Sequence, residues 1–187
     1  MKRRELLGLA AALPWPVQAD DANGLVASLR TGGVVMAFRH ALAPGTFDPP
    51  GFRLGDCSTQ RNLNGQGRAQ AQRMGEWFRQ RQLVPAVVRS SPWCRCLDTA
   101  RLAFGAADAW AALGSPVANV EATNEAAVAE LRGALAAAAG ERGRFEVWVT
   151  HQFVLSALAD GPAASGEGLL LSGALDGTPR LLGRLIL

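Results

Sequence analysis

The chain holds two histidines, His40 and His151. Each stands directly after a short apolar run, Val34 to Phe38 with Arg39 before the first and Phe145 to Thr150 before the second. Imidazole changes protonation near neutral pH, and in its neutral form it can attack phosphorus or take up a proton. Either histidine alone reads equally well as a satisfied buried polar group. Three arginines change that weighing: Arg39 precedes His40, Arg61 follows a long loop, and Arg95 lies just after Ser91-Pro92-Trp93-Cys94. A guanidinium grips phosphate or carboxylate through a planar fork of donors. An anion held by Arg39 and Arg95, with two imidazoles in reach, describes a phosphate site. One imidazole attacks phosphorus there, and the other stays protonated to hold the oxygens.

The elements that position these groups follow from periodicity and turn signals. Val34 to Phe38, Ala86 to Arg89 and Phe145 to Thr150 read as buried strands. Val117 to Val120 reads as a brief strand, and Leu169 to Leu171 and Leu181 to Leu187 as a late pair joined through the turn Asp176-Gly177-Thr178. Helices are expected around Leu25 to Leu29, from an Asn64 cap to about Gln82, from Ser91 to Gly105, over Glu125 to Ala139, and over Phe153 to Ala159. In the third of these Ser91 is the expected N-cap and Pro92 the first helical residue, so the open N–H groups of that helix would face the anion. Strands alternating with helices imply an α/β fold, a three-layer α/β/α sandwich around a mostly parallel sheet. In such sheets ligands bind at the carboxyl ends of the strands, where both histidines fall. Residues 41 to 60, rich in Pro and Gly, form a long loop, with Phe47 and Phe52 available to pin it down.

Composition narrows the function further. Apolar residues make up 49% and charged residues 19%, values that fit neither disorder nor a membrane bundle. Met1 to Arg4 form a basic head, Leu6 to Leu13 an apolar stretch and Val17-Gln18-Ala19 a small-residue exit. Residues 1–19 therefore read as a secretory signal, with Arg3-Arg4 resembling a twin-arginine export signal, and residues 20–187 as a single domain. The stretch is too short to span a bilayer, so no stable membrane insertion is expected. Removing Lys2, Arg3, Arg4 and Glu5 lowers the net charge from +3 to +1 and removes the only lysine. The remaining cations are arginines too few for a nucleic-acid surface and well suited to a local oxyanion pocket.

Cys57, Cys94 and Cys96 fit an oxidising compartment, periplasmic or extracellular. A Cys57 to Cys94 bridge would tie the long loop to the start of a helix, leaving Cys96 as a packing residue. Zinc is disfavoured because Cys94 and Cys96 are separated by one residue, and arginines beside His40 and His151 oppose any cation. No metal and no cofactor are required.

Phe38-Arg39-His40-Ala41, Ser90 to Ala100 and Val149-Thr150-His151 resemble, in this order, the three signatures of the histidine phosphatase superfamily, whose fold is phosphoglycerate mutase-like. Gly67 to Ala71 and Gly166-Glu167 extend the likeness over nearly all of the chain after residue 19. The resemblance implies a phosphomonoesterase in which His40 becomes phosphohistidine and Arg39, Arg95 and His151 clamp the phosphate. Gly55 to Leu63 and Trp93-Cys94-Arg95 also resemble a small exported branch that includes a lipopolysaccharide-core phosphatase. That likeness implies a phosphorylated small molecule or envelope glycan as substrate. Arg61 is expected to bind substrate, and Glu167 to orient His151 or Arg39.

The chain departs from the family at Ala41, where glycine is usual, and in the absence of a clear glutamate motif between Ser115 and Glu125. The proton donor is therefore open among Asp48, Asp56, Glu121 and Glu125. Asp48 is preferred because its loop directly follows the nucleophile, with Glu121 the alternative and Asp56 better placed to cap a turn. The competing reading is a non-catalytic module of the same fold that binds a phosphorylated ligand.

Overall fold

The structure is a computed structural model that describes residues 19–115, 125–159, 161–174 and 176–187. The expected leader, the expected strand at 117–120 and Glu121 lie outside the described residues, apart from the leader's last position, Ala19.

The first strand, β1 (Val34–Arg39), is buried up to its final arginine. It pairs in parallel with β4 (Phe145–Thr150), which pairs in parallel with β2 (Val87–Ser90), and β2 with the two-residue β3 (Asp108–Ala109). On the other side of β1 lie β5 (Gly168–Gly173) and β6 (Pro179–Leu185), both antiparallel to their neighbours. The order among the described residues is β3-β2-β4-β1-β5-β6. The last two strands form the expected hairpin. Gly177 takes a positive φ of 79°, and Asp176 Oδ1 accepts the Thr178 N–H.

Alternation along β1 builds two cores. Val34, Met36 and Phe38 face α1 (Ala19–Thr31), α2 (Gly65–Gln80) and α3 (Cys94–Phe104) through Leu29, Phe78 and Ala100. Val35 and Ala37 face α4 (Glu125–Ala139) and α5 (Gln152–Leu158) through Leu131, Leu135 and Leu155. The molecule is thus the three-layer α/β/α sandwich expected. Among the described residues no helix is long and apolar enough to cross a membrane.

Close approaches explain two helix glycines. A Cβ at Gly67 would collide with the Leu42 carbonyl oxygen, and one at Gly75 with that of Ala103. The first lets α2 lie against the chain leaving β1, and the second lets α2 and α3 touch.

Two expectations need correction. Helix α3 begins at Cys94, with Trp93 and not Ser91 at its cap. Phe47 is 74% exposed and pins nothing, whereas Phe52 stacks on Trp93 at 5.5 Å between ring centroids.

Candidate active site

Three adjacent parallel strands, β2, β4 and β1, deliver the site. Their last residues are in register, Arg39 opposite Thr150 and Ser90 opposite Val149, so the next residues, Ser91, His151 and His40, emerge side by side. The ladder extends one step further through His40 N–H to Thr150 O (2.9 Å) and Ser91 N–H to Val149 O (2.8 Å). More than a hundred positions apart in sequence, the two imidazoles lie 5.5 Å apart between centroids.

His40 is nearly fully buried, and its Nδ1 lies 2.8 Å from the Ala41 carbonyl oxygen. A carbonyl only accepts, so Nδ1 carries the proton and Nε2 keeps its lone pair. Burial pushes the His40 pKa down to about 3; the Ala41 hydrogen bond opposes this, and the charges of Arg95, Arg61 and Arg39 reinforce it. Ala41 needs no glycine freedom, since Gln82 is the non-glycine residue with positive φ among those described. Thr99 Oγ1 holds the Ala41 N–H at 3.0 Å and donates to the Arg95 carbonyl at 2.7 Å, joining the loop after β1 to α3.

His151 is also held neutral, against the expectation of a standing imidazolium. Its pKa is lowered well below the ordinary value by burial first, then by Arg95, His40, Arg61 and Arg39. Several positive groups around one buried ring leave no favourable place for another proton until an anion arrives.

The arginines converge from three elements. Arg95 Nη1 meets both Asp48 carboxylate oxygens at 2.8 and 3.1 Å. Arg39 Nη1 donates to Ala163 O at 2.8 Å and to Gln152 Oε1 at 3.4 Å, and Arg61 Nη1 donates to Ala43 O. Burial lowers the pKa of Arg39 and of Arg61, and the Arg95 charge adds to both shifts. The Nε–H groups of Arg39, Arg61 and Arg95 are buried and lack a hydrogen-bond partner. A buried donor left without an acceptor costs roughly 1–3 kcal/mol, more on a charged group.

The loop at 42–63 is fastened to three consecutive residues. Phe52 stacks on Trp93, whose Nε1 donates to Asp48 Oδ2 at 3.2 Å. Cys57 forms a disulfide with Cys94, the expected pair, and Gln60 Oε1 accepts the Cys94 N–H at 2.9 Å. Asp48 grips Arg95 and also accepts the Arg61 N–H at 2.9 Å. Asp48, preferred above as proton donor, serves here as the ion-pair partner of Arg95. Asp56 caps the short 3-10 turn Cys57–Thr59 by accepting the Ser58 N–H.

At the start of α3, Gln60 takes the Cys94 N–H and Ser91 Oγ that of Trp93. One further expectation changes. The Glu167 carboxylate is engaged by neither histidine nor Arg39, accepting from Arg184 at 2.7 Å and from the Ala164 N–H at 2.7 Å. Only its backbone carbonyl reaches the site region, holding the Arg39 N–H at 3.0 Å. Spacing alone gave no role to Thr99 or Gln60, and to Ser91 only that of a helix cap. The available signal was that Ser91, like both histidines, directly follows a strand.

The family described as the Histidine phosphatase superfamily (branch 1) matches residues 56–153, more than half of the chain. The chain belongs to the histidine phosphatase superfamily. With both imidazoles and the arginines assembled, it is an enzyme of that class. Its fold is similar to that of the protein histidine phosphatase SixA complexed with tungstate, at a TM-score of 0.58 and 16% identity over 81% of this chain and 96% of the other. It is also similar to a phosphoserine phosphatase variant from Entamoeba histolytica in complex with phosphoserine, at 0.60 and 13% over 81% and 95%. A SixA-type protein from Agrobacterium tumefaciens aligns at 0.55 and 22% over 83% and 99%. At these identities the likeness concerns the fold. No curated protein matches the chain.

Proposed function

We propose that the protein hydrolyses phosphomonoesters through a phosphohistidine formed on His40. The observation that carries this reading is a neutral imidazole, His40, with its Nε2 lone pair unprotonated, set within the fields of Arg95, Arg61 and Arg39 and 5.5 Å from the His151 ring. Charge supports it as well. Arg39, Arg61 and Arg95 against Asp48 leave a net charge of +2 while both rings are neutral, which matches a phosphate dianion.

His40 Nε2 attacks phosphorus, the P–O ester bond breaks, and the three guanidinium groups hold the equatorial oxygens. The bound dianion offsets the charges that keep His151 neutral, so His151 takes up a proton and donates to the phosphoryl group. Water then attacks the phosphohistidine and returns a proton to the group that protonated the leaving oxygen, the P–N bond breaks, and His40 regains its lone pair. The leaving oxygen needs a proton; Asp48, ionised in its pair with Arg95, can supply one only after taking it up from solvent on substrate binding, and Glu121 is the alternative donor. Proton donation is worth ~10² to 10⁴ in rate for a basic leaving group and little for p-nitrophenolate. Asp48→Asn should therefore slow alkyl phosphate hydrolysis far more than p-nitrophenyl phosphate hydrolysis. Equal effects on both substrates would reassign Asp48 to holding Arg95 alone.

The Cys57–Cys94 disulfide supports an oxidising compartment. With the signal-like residues 1–19, it supports export of residues 20–187, read as one domain, to the periplasm or outside the cell. The resemblance to the exported branch favours a small or envelope-associated phosphorylated substrate. Brief incubation with a 32P-labelled phosphomonoester and acid-free denaturation tests the chemistry. The expected result is label on the wild type and none on His40→Ala. Saturable phosphate binding without label on the wild type would replace hydrolysis by a non-catalytic binding module.

A further inference from the structure

The hydrogen bonds around His151 run in one direction. Arg95 Nη2 lies 3.4 Å from His151 Nδ1, and a guanidinium can only donate, so Nδ1 accepts. The proton of the neutral ring then belongs on Nε2, which lies 2.8 Å from Ser91 Oγ. Ser91 Oγ accepts that proton and, at 3.3 Å, the Trp93 N–H. With that lone pair engaged, the Ser91 hydroxyl proton is free for the Cys96 sulfur, which lies 3.5 Å from the same Nε2 and whose pKa burial raises and Ser91 lowers. The Cys96 thiol donates in turn to the Thr150 carbonyl oxygen at 3.6 Å. Each proton is used once, and the chain ends on an acceptor that cannot donate. Ser91, Cys96 and Thr150 are fully buried, which removes solvent as an alternative partner.

The opposite tautomer fails at its first link. A proton on Nδ1 would point at the Arg95 N–H groups, setting donor against donor beside a cation. Burial pushes the Cys96 pKa up to about 12, so the thiol stays protonated and able to donate to Thr150.

We propose that Ser91 and Cys96 are positioning residues that keep a proton permanently on His151 Nε2, so that Nδ1, the nitrogen facing Arg95 and the oxyanion pocket, is the one that gains and loses a proton during phosphoryl transfer. The proposal rests on the phosphohistidine reading and adds to it the identity of the titrating nitrogen. Nε2–H needs an acceptor in both states of the ring, and a hydrogen bond from a charged donor is stronger than one from a neutral donor. Ser91 therefore favours the imidazolium. It acts against burial and against Arg95, Arg61, Arg39 and His40, the charged and titratable groups facing the ring, with Asp48 behind Arg95 and Cys96 beneath.

With only two histidines in the chain, long-range 1H–15N correlation spectra resolve the question directly, His40→Asn assigning the remaining ring. The expected result for the wild type is His151 as the Nε2–H tautomer alone and doubly protonated with saturating inorganic phosphate. Ser91→Ala should lose the pure Nε2–H signature. It should also shift the alkaline limb of kcat on p-nitrophenyl phosphate to lower pH, and reduce kcat about 10- to 100-fold with a smaller change in KM. Cys96→Ser, which keeps a group that accepts from Ser91 and donates to Thr150, should retain the wild-type tautomer and pH profile. Two results would overturn the proposal: a wild-type His151 protonated on Nδ1, a measurement that needs no variant to fold, or a folded Ser91→Ala with unchanged tautomer and pH limb. Failure to trap phosphohistidine on a wild type that shows the expected tautomer would instead sink the parent reading.

Discussion

Replacing His40 with glutamine should flatten the acid side of the stability curve. In the folded protein burial and the arginines hold the His40 pKa at about 3, whereas an exposed histidine titrates near 6.5. As pH falls below 6.5 the unfolded chain binds a proton that the folded chain refuses, so stability is greatest above that value and is lost on acidification. Each unit of pKa difference is worth about 1.4 kcal/mol, which gives a loss of about 2 kcal/mol by roughly pH 5 and about 5 kcal/mol near the folded pKa. His151 is shifted in the same direction and adds to the slope. Urea denaturation of the wild type and His40→Gln at several pH values between neutral and about 4 isolates the His40 share, because carboxylate contributions cancel in the difference. The wild-type curve should fall more steeply by close to one proton per molecule. Superimposable slopes would refute a neutral, desolvated nucleophile and with it the charge argument for dianion binding.

Cys57→Ser should lower stability by about 4 kcal/mol by loop-closure entropy for a separation of 37 residues, read as a drop in urea midpoint with a steeper slope as the unfolded chain expands. It should also weaken inhibition by inorganic phosphate, because the same loop carries the Asp48 grip on Arg95. Gly67→Ala should reduce activity and melting temperature together, since its methyl group displaces Leu42, two residues from His40. Phe47→Ala should leave the urea midpoint within about 0.5 kcal/mol of wild type, as its ring is solvent-exposed.

The sheet was legible where local physics decides. Val34 to Phe38 and Phe145 to Thr150 are apolar runs too short for helices, and both emerged as central parallel strands with a histidine at the carboxyl end. Asn64 was readable as a cap because its side chain accepts the Gly67 N–H three residues on. The start of α3 was not readable. Ser91 has the chemistry of an N-cap, but its hydroxyl is committed to His151, and the Cys94 N–H is taken by Gln60 from a distant loop. The charge of His151 was beyond spacing too, because it depends on burial combined with the fields of guanidinium groups from three elements. Glu167 was misjudged for the same kind of reason. Arg184, on the neighbouring antiparallel strand, claims its carboxylate, and only the paired hairpin brings them together.

A crystal structure of the protein soaked with tungstate tests the site most directly. The expected result is one tetrahedral anion within hydrogen-bond distance of the guanidinium groups of Arg39, Arg61 and Arg95, with His40 Nε2 in line with the metal atom. An anion bound elsewhere, or one held by those guanidinium groups with His40 Nε2 turned away from it, would contradict the assignment of His40 as the phosphate-accepting residue.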